Sequence, residues 1–230
     1  MKFKTLLPLI LISTSIISCR NCNNSSSTSN QKIASKNSTW KSLEKNERIG
    51  QYHLKDGKVY CGESGCTAES MSGVDLPSFM VSTVSDYAKD HDHVYYPITI
   101  LCVDGKDCGA CYATEYIVKG AQPSSFKGLT EKYGKDLQHG YFEGKEIPKS
   151  DGKSFKAVHV SKYTHFAVDK NYVYYNQNIF EEADPDTFYY DSVSTKKLNT
   201  YDQFEFYIFE DATNKWKYTP PDTFKKLAKD

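Results

Sequence analysis

One stretch constrains this chain more than any other: Phe166 to Phe188, FAVDKNYVYYNQNIFEEADPDTF, of which most of the sequence from about residue 52 onward reads as diverged copies. Phe166-Ala167-Val168 leads into Asp169-Lys170-Asn171, a polar cluster with turn chemistry, since Asp and Asn bond their own backbone and tolerate left-handed dihedrals. Val173-Tyr174-Tyr175 is β-branched and aromatic and reads as the return strand of a hairpin. A second turn at Asn176-Gln177-Asn178 leads to Ile179-Phe180. Ala183-Asp184-Pro185-Asp186-Thr187-Phe188 then closes the unit, with Asp184 placed to accept backbone N–H groups and Pro185 fixing φ at a first-turn position.

Two anchors recur. The first is an aromatic or His three residues before an Asp, then a valine or glycine and two aromatics. It gives Tyr87 to Asp90 with Val94-Tyr95-Tyr96, Tyr133 to Asp136 with Gly140-Tyr141-Phe142, and Phe166 to Asp169 with Val173-Tyr174-Tyr175. His53 to Asp56 with Val59-Tyr60-Cys61 reads as a tighter first copy. The second anchor is the closing turn, at Asp75 to Phe79, Gln122 to Phe126, Asp151 to Phe155, Asp184 to Phe188 and Pro220 to Phe224. The closing phenylalanines are spaced by 29 to 47 residues, so the repeat carries insertions. The last unit reads as lacking the Asp-led turn, with Phe204 to Phe209 as the strand of a diverged cap.

The expected fold is mainly β: about five repeated β-hairpin units in a meander or irregular solenoid-like stack, with little helix. One hairpin alone is marginal in water, so units must stack and bury the anchor phenylalanines together. Only Trp40 to Glu47 and Asp222 to Ala228 suggest helical turns. The 18 tyrosines and 12 phenylalanines suit half-buried strands, and tyrosine at hairpin edges is the expected contact surface.

The core DKN-x-V-Y-Y followed by A-D-P-x-T-F resembles the DKNYY family of bacterial surface and envelope proteins. The resemblance is strongest over residues 166–188. It implies an architecture and little chemistry, because no activity comes with it.

The chain divides into residues 1–18, 19–38 and 39–230. Lys2 and Lys4 precede an apolar run from Leu6 to Ile17 that is too short to span a bilayer comfortably and reads as a secretory signal. It ends in Ile16-Ile17-Ser18-Cys19, which looks like a bacterial lipobox with Cys19 as the acylated residue. Arg20 follows rather than Asp, which resembles lipoproteins sent to the outer membrane where a cell has two membranes. Residues 20–38 are Asn/Ser-rich and read as a flexible tether. Without residues 1–18 the chain has 27 basic against 29 acidic residues, so no basic excess points to nucleic acid. The expected attachment is to a membrane through acyl chains on Cys19.

Six further cysteines are Cys22, Cys61, Cys66, Cys102, Cys108 and Cys111. In an exported chain the last five are candidate disulfide staples: Cys61 with Cys66, and Cys102 with Cys108 or Cys111. Cys108-Gly109-Ala110-Cys111 also has the spacing of a thiol-disulfide redox site, but Tyr112 to Val118 alternates like a strand where such a site needs a helix. Cys102, Cys108, Cys111 and a histidine are a candidate zinc set, and Tyr112 stands where haem attachment needs His.

His91-Asp92-His93 is the only local His pair, in a turn position that favours solvation over metal binding. Glu181, Glu182, Asp184 and Asp186 form an acidic run that capping explains, with Ca²⁺ as the alternative. No G-x-S-x-G, Ser/His/Asp signature or phosphate-cradling loop is present, so neither enzyme chemistry nor a cofactor is expected. The expected role is non-catalytic binding or structure in the cell envelope, with a protein partner there. The alternatives are a thiol-disulfide oxidoreductase using Cys108 and Cys111, or an envelope immunity or inhibitor protein.

Overall fold

Hairpins form here where β-branched and aromatic residues flank a short polar turn. The structure, a computed structural model, describes residues 40–62, 70–97, 116–161, 164–197, 204–221 and 223–229. In these residues the strands are β1 (Trp40–Ser42), β2 (Arg48–Ile49), β3 (Tyr52–Lys55), β4 (Lys58–Cys61), β5 (Met80–Ser82), β6 (Ala88–Lys89), β7 (Val94–Tyr95), β8 (Lys127–Gly128), β9 (Tyr133–Lys135), β10 (Gly140–Phe142), β11 (Lys145–Glu146), β12 (Lys156–Ser161), β13 (Thr164–Val168), β14 (Val173–Tyr175), β15 (Asn178–Ile179), β16 (Tyr189–Lys197), β17 (Phe204–Glu210), β18 (Lys215–Thr219) and β19 (Thr223–Leu227). A single 3-10 turn covers Leu76–Ser78.

Five antiparallel sheets follow one another along the chain. The first is β2-β3-β4, the third β8 to β11, the fourth β12 to β15 and the fifth β16 to β19, each a meander in sequence order. The second is irregular: β1 pairs with β5, so its order is β1-β5-β6-β7, and Ile117 adds a bridge to Tyr95 at the far edge. The hairpin expected at 166–175 is present, with Phe166 opposite Tyr175 and Val168 opposite Val173, and Tyr174 opposite Ile179 continues it.

Four hydrophobic clusters lie between consecutive sheets, and no cluster of described residues joins distant ones. Each is built around the same aromatic triplet. A closing phenylalanine sits between an aromatic of the preceding sheet and one of its own sheet. Phe79 lies 5.8 Å from Tyr52 and 5.9 Å from Tyr95; Phe126 lies 5.0 Å from Tyr87 and 5.5 Å from Tyr141. Phe155 lies 5.8 Å from Tyr133 and 5.6 Å from Tyr174; Phe188 lies 5.6 Å from Phe166 and 6.4 Å from Trp216. These centroid separations are those of favourable aromatic pairs. The anchor phenylalanines are therefore the core of the stack, as the repeat spacing implies.

The structure corrects four sequence expectations. The so-called closing phenylalanine leads into the next sheet, because Met80, Lys127, Lys156 and Tyr189 each follow one directly and begin a strand of it: β5 in the second sheet, and the first strand in the third, fourth and fifth. Phe224 is not a member of that set, since it lies in β19 and pairs with Tyr218 across a hairpin. Trp40 to Glu47 and Asp222 to Ala228 supply strands β1 and β19 rather than helical turns. Asp56 is not a copy of the other turn aspartates: it is exposed and forms a two-residue hairpin tip with Gly57, at φ of 51° and 71°.

Glycine is required at Gly140, where the two related units have valine. A Cβ there would stand 2.5 Å from the Phe155 ring. Gly140→Ala is expected to lower stability by about 1–3 kcal/mol through overpacking, read as a lower thermal midpoint. Adding Phe155→Leu should return part of that loss, and an unchanged midpoint in Gly140→Ala would show that the ring moves freely.

Candidate functional site

The polar constellation that recurs most faithfully is a buried aspartate in a hairpin turn of each sheet from the second onward. Asp90 Oδ1 accepts the backbone N–H groups of Asp92 (2.9 Å) and His93 (2.7 Å). Its Oδ2 accepts the Tyr95 hydroxyl (2.6 Å) and the Asp75 N–H (3.0 Å). Asp136 repeats this with the N–H groups of Gln138 and His139, the Tyr141 hydroxyl (2.9 Å) and the Gln122 N–H (3.0 Å). Asp169 does so with Asn171, Tyr172, the Tyr174 hydroxyl (2.8 Å) and the Asp151 N–H (2.7 Å). In each case one oxygen ties the Asp's own turn, and the other receives a donor from the chain entering the same sheet.

Asp211 is a fourth copy, in the unit expected to lack it. Its Oδ1 accepts the Thr213 and Asn214 N–H groups, and its Oδ2 accepts the Asp184 N–H at 2.9 Å. Ile208 replaces the usual aromatic three residues upstream, which hid the copy. The surviving signal is the aromatic five residues downstream, Trp216 here and Tyr95, Tyr141 and Tyr174 elsewhere.

All four aspartates are buried. Burial pushes a carboxyl's pKa up, but the donors outweigh it. Asp90 and Asp136 lie below the ordinary carboxylate value, and Asp211 is held down at about 2. Burial and the adjacent carboxylate push the Tyr95, Tyr141 and Tyr174 hydroxyls well up, so they stay protonated donors.

Beside the first node lies a set that looks catalytic. Ser78 Oγ is 3.3 Å from His91 Nδ1, and His91 Nε2 is 3.0 Å from Asp92. The other units explain it. Ser78 Oγ donates to Asp75 and accepts the His91 N–H at 3.0 Å. Ser154 Oγ donates to Asp151 at 2.7 Å and accepts the Lys170 N–H at 3.1 Å. Thr187 Oγ1 donates to Asp184 at 2.8 Å and accepts the Ala212 N–H at 2.9 Å. The hydroxyl does the same work whether His, Lys or Ala follows, so it is a brace between two turns. Its Oγ proton is already committed to a carboxylate rather than to an imidazole base.

The remaining candidates do not converge. His91 bonds Asp75 Oδ2 at 3.1 Å, while the His93 ring lies 6.1 Å from that of Tyr95. In the acidic run, Asp184 takes the Thr187 hydroxyl and the Asp186 N–H, and Glu182 faces Lys226 at 4.0 Å. Among the described residues no group of three or more His, Cys, Asp or Glu side chains is placed to hold a metal ion. Cys61 is fully buried and disulfide-bonded. Cys19, Cys22, Cys66, Cys102, Cys108 and Cys111 lie outside the described residues, as do the signal, the tether and the C-x-x-C motif.

The tyrosines expected at exposed edges are mostly interior. Tyr52 donates to the Asp86 carbonyl (3.1 Å), Tyr87 to that of Lys132 (3.0 Å) and Tyr133 to that of His165 (3.1 Å). Each accepting carbonyl belongs to the residue just before the next sheet's corresponding aromatic, so the hydroxyls form a ladder through the stack.

Removing a node should be costly. Asp169→Ala leaves four donors without an acceptor and is expected to cost at least about 3 kcal/mol, against about 1–3 kcal/mol for Tyr174→Phe, both read by denaturant titration. His165 gives a pH signature. Burial, with help from the nearby Lys132 ammonium, pushes its pKa down to about 4 from 6.5, and its Nε2 is buried without a partner. Below pH 6.5 the unfolded chain takes up a proton that the folded one refuses until about pH 4. Stability should therefore be full above pH 6.5 and fall through that window, and His165→Leu should flatten this part of the curve.

Comparison with known proteins agrees with the geometry. The model of the DKNYY family matches residues 105–229, more than half of the 230-residue chain. No curated protein and no solved structure matches. The chain, with its Asp-led hairpins repeated from sheet to sheet, belongs to the DKNYY family.

Proposed function

We propose that the protein is a lipid-anchored component of a bacterial cell envelope, with a non-catalytic binding or structural role. The observation that carries this reading is the reuse, among the described residues, of the three polar constellations that look most like a site. The buried aspartates and the Ser/Thr braces recur from unit to unit, fastening the incoming chain to its own sheet, and the Tyr52, Tyr87 and Tyr133 hydroxyls join one sheet to the next. A reacting group belongs to one place in a molecule, whereas a joint recurs.

The anchoring part rests on the sequence. Lys2, Lys4, the short apolar run and Ser18-Cys19 together favour acylation of Cys19, and Arg20 favours the outer membrane of a cell with two membranes. A disulfide at Cys61 suits an oxidising compartment outside the cytoplasm. No helix among the described residues is long and apolar enough to cross a membrane. The acyl chains on Cys19 would then hold the protein in place, leaving the stack to meet an envelope protein partner.

The test is metabolic labelling of the full chain in a bacterial host with a clickable palmitate analogue. Label is expected on the wild type and absent from Cys19→Ala, which should also leave the membrane fraction. A Cys19→Ala protein that keeps both label and membrane association would overturn the anchoring.

A further inference from the structure

The first sheet has one face in the core and one facing solvent, and their chemistry differs sharply. Ile49, Tyr52, Leu54, Val59 and Cys61 pack inward. On the opposite face the register aligns Arg48 with His53 and His53 with Tyr60, and sets Lys55 directly across from Lys58. Arg48, Lys55 and Lys58 are exposed, and the His53 and Tyr60 rings stack at 5.1 Å. No carboxylate stands on this face among the described residues: Asp56 sits at the hairpin tip, and Glu47 is paired with Lys41.

Like charges placed directly opposite across two strands destabilise a hairpin. Neither Lys55 nor Lys58 has an ion-pair partner among the described residues, so an anion from outside would relieve the pair. The fifth sheet differs. There Lys217 and Lys225 are opposed, but Asp191 and Glu210 share the same face and Lys215 is bonded to Glu210 at 2.6 Å.

We infer that the outer face of the first sheet is a docking surface for anionic phospholipid headgroups. The choice of a lipid surface rests on the proposed acylation of Cys19. Along the chain, β1 of the second sheet and β2 of the first begin 21 and 29 residues after that cysteine, so these two sheets are the ones tied most closely to the anchor. Residues 20–39 carry Arg20, Lys32 and Lys36 and no acid. Basic side chains at an anionic surface reinforce an acyl anchor, and an aromatic pair with polar tips suits the headgroup layer.

The test uses the unacylated chain from residue 20 to 230, which keeps every described element and all four clusters. Co-sedimentation is measured with vesicles of phosphatidylglycerol and phosphatidylethanolamine, and with pure phosphatidylcholine. Binding is expected only to the anionic vesicles and should disappear in 0.5 M salt on the order expected from screening. Lys55→Gln and Lys58→Gln should each weaken it roughly five-fold and melt no lower than the wild type, since each removes one of two opposed charges, while the pair Lys217→Gln with Lys225→Gln leaves binding unchanged. The surface is overturned by absence of binding to anionic vesicles, by equal loss in both variant sets, or by binding to a soluble polyanion such as heparin without binding to vesicles. Because this chain carries no lipid, the outcome is independent of whether Cys19 is labelled in the acylation experiment.

Discussion

The rest of the structure hangs on a buried carboxylate that accepts donors from two directions. At Asp90, Asp136, Asp169 and Asp211 one oxygen fixes the turn in which the residue lies, and the other holds the N–H of a residue 14 to 27 positions upstream. A buried charge is tolerable only with donors around it, and hydrogen bonds to an ionised acceptor are stronger than neutral ones. The demand for donors and the need to fasten the incoming chain are therefore met by one group. It resembles a cap shared between two turns, with a tyrosine hydroxyl as its third source of donors in the middle units.

Around these nodes the apolar part is modular. Each closing phenylalanine links an aromatic of the sheet behind it to one in its own sheet, so cohesion passes from neighbour to neighbour, as in solenoids. The hydroxyl ladder of Tyr52, Tyr87 and Tyr133 runs in parallel and stops at Phe166, which has no hydroxyl. From there the fifth sheet is held by a larger apolar cluster with Trp216, Phe209 and Tyr218, and by contact of the Tyr175 and Tyr218 hydroxyls at 2.7 Å. The last unit thus keeps the Asp211 node and the Thr187 brace but exchanges the tyrosine-hydroxyl rung for aromatic burial.

This economy of parts bears on function. When the same residues serve as joints in unit after unit, the differences between units are the better guide to what the molecule meets. Among the described residues the first sheet lacks a node and presents cations without carboxylates on its outer face. The fifth presents lysines balanced by Glu210 and Asp191. Two ends of one array that differ in this way give the stack a direction.

Local chemistry was legible without a structure. An Asp that bonds its own turn, a β-branched and aromatic return strand, and a buried phenylalanine after a Pro- or Gly-containing turn all follow from neighbouring residues, so the hairpins and their anchors could be read directly. The tertiary structure decided what depends on partners far along the chain. The N–H given by Asp184 to Asp211 comes from 27 residues away, so the sequence could not show that the closing turn leads into the following sheet, nor that Asp211 is a node although Ile208 has replaced its aromatic flank. Pro220 to Phe224 carries the letters of a closing turn, yet Thr219 pairs with Thr223 and Tyr218 with Phe224, so it joins β18 to β19 as a hairpin. Whether Tyr95, Tyr141 and Tyr174 face solvent or a carboxylate was fixed only when the sheets stacked, because strand alternation defines two faces and packing decides which one is covered.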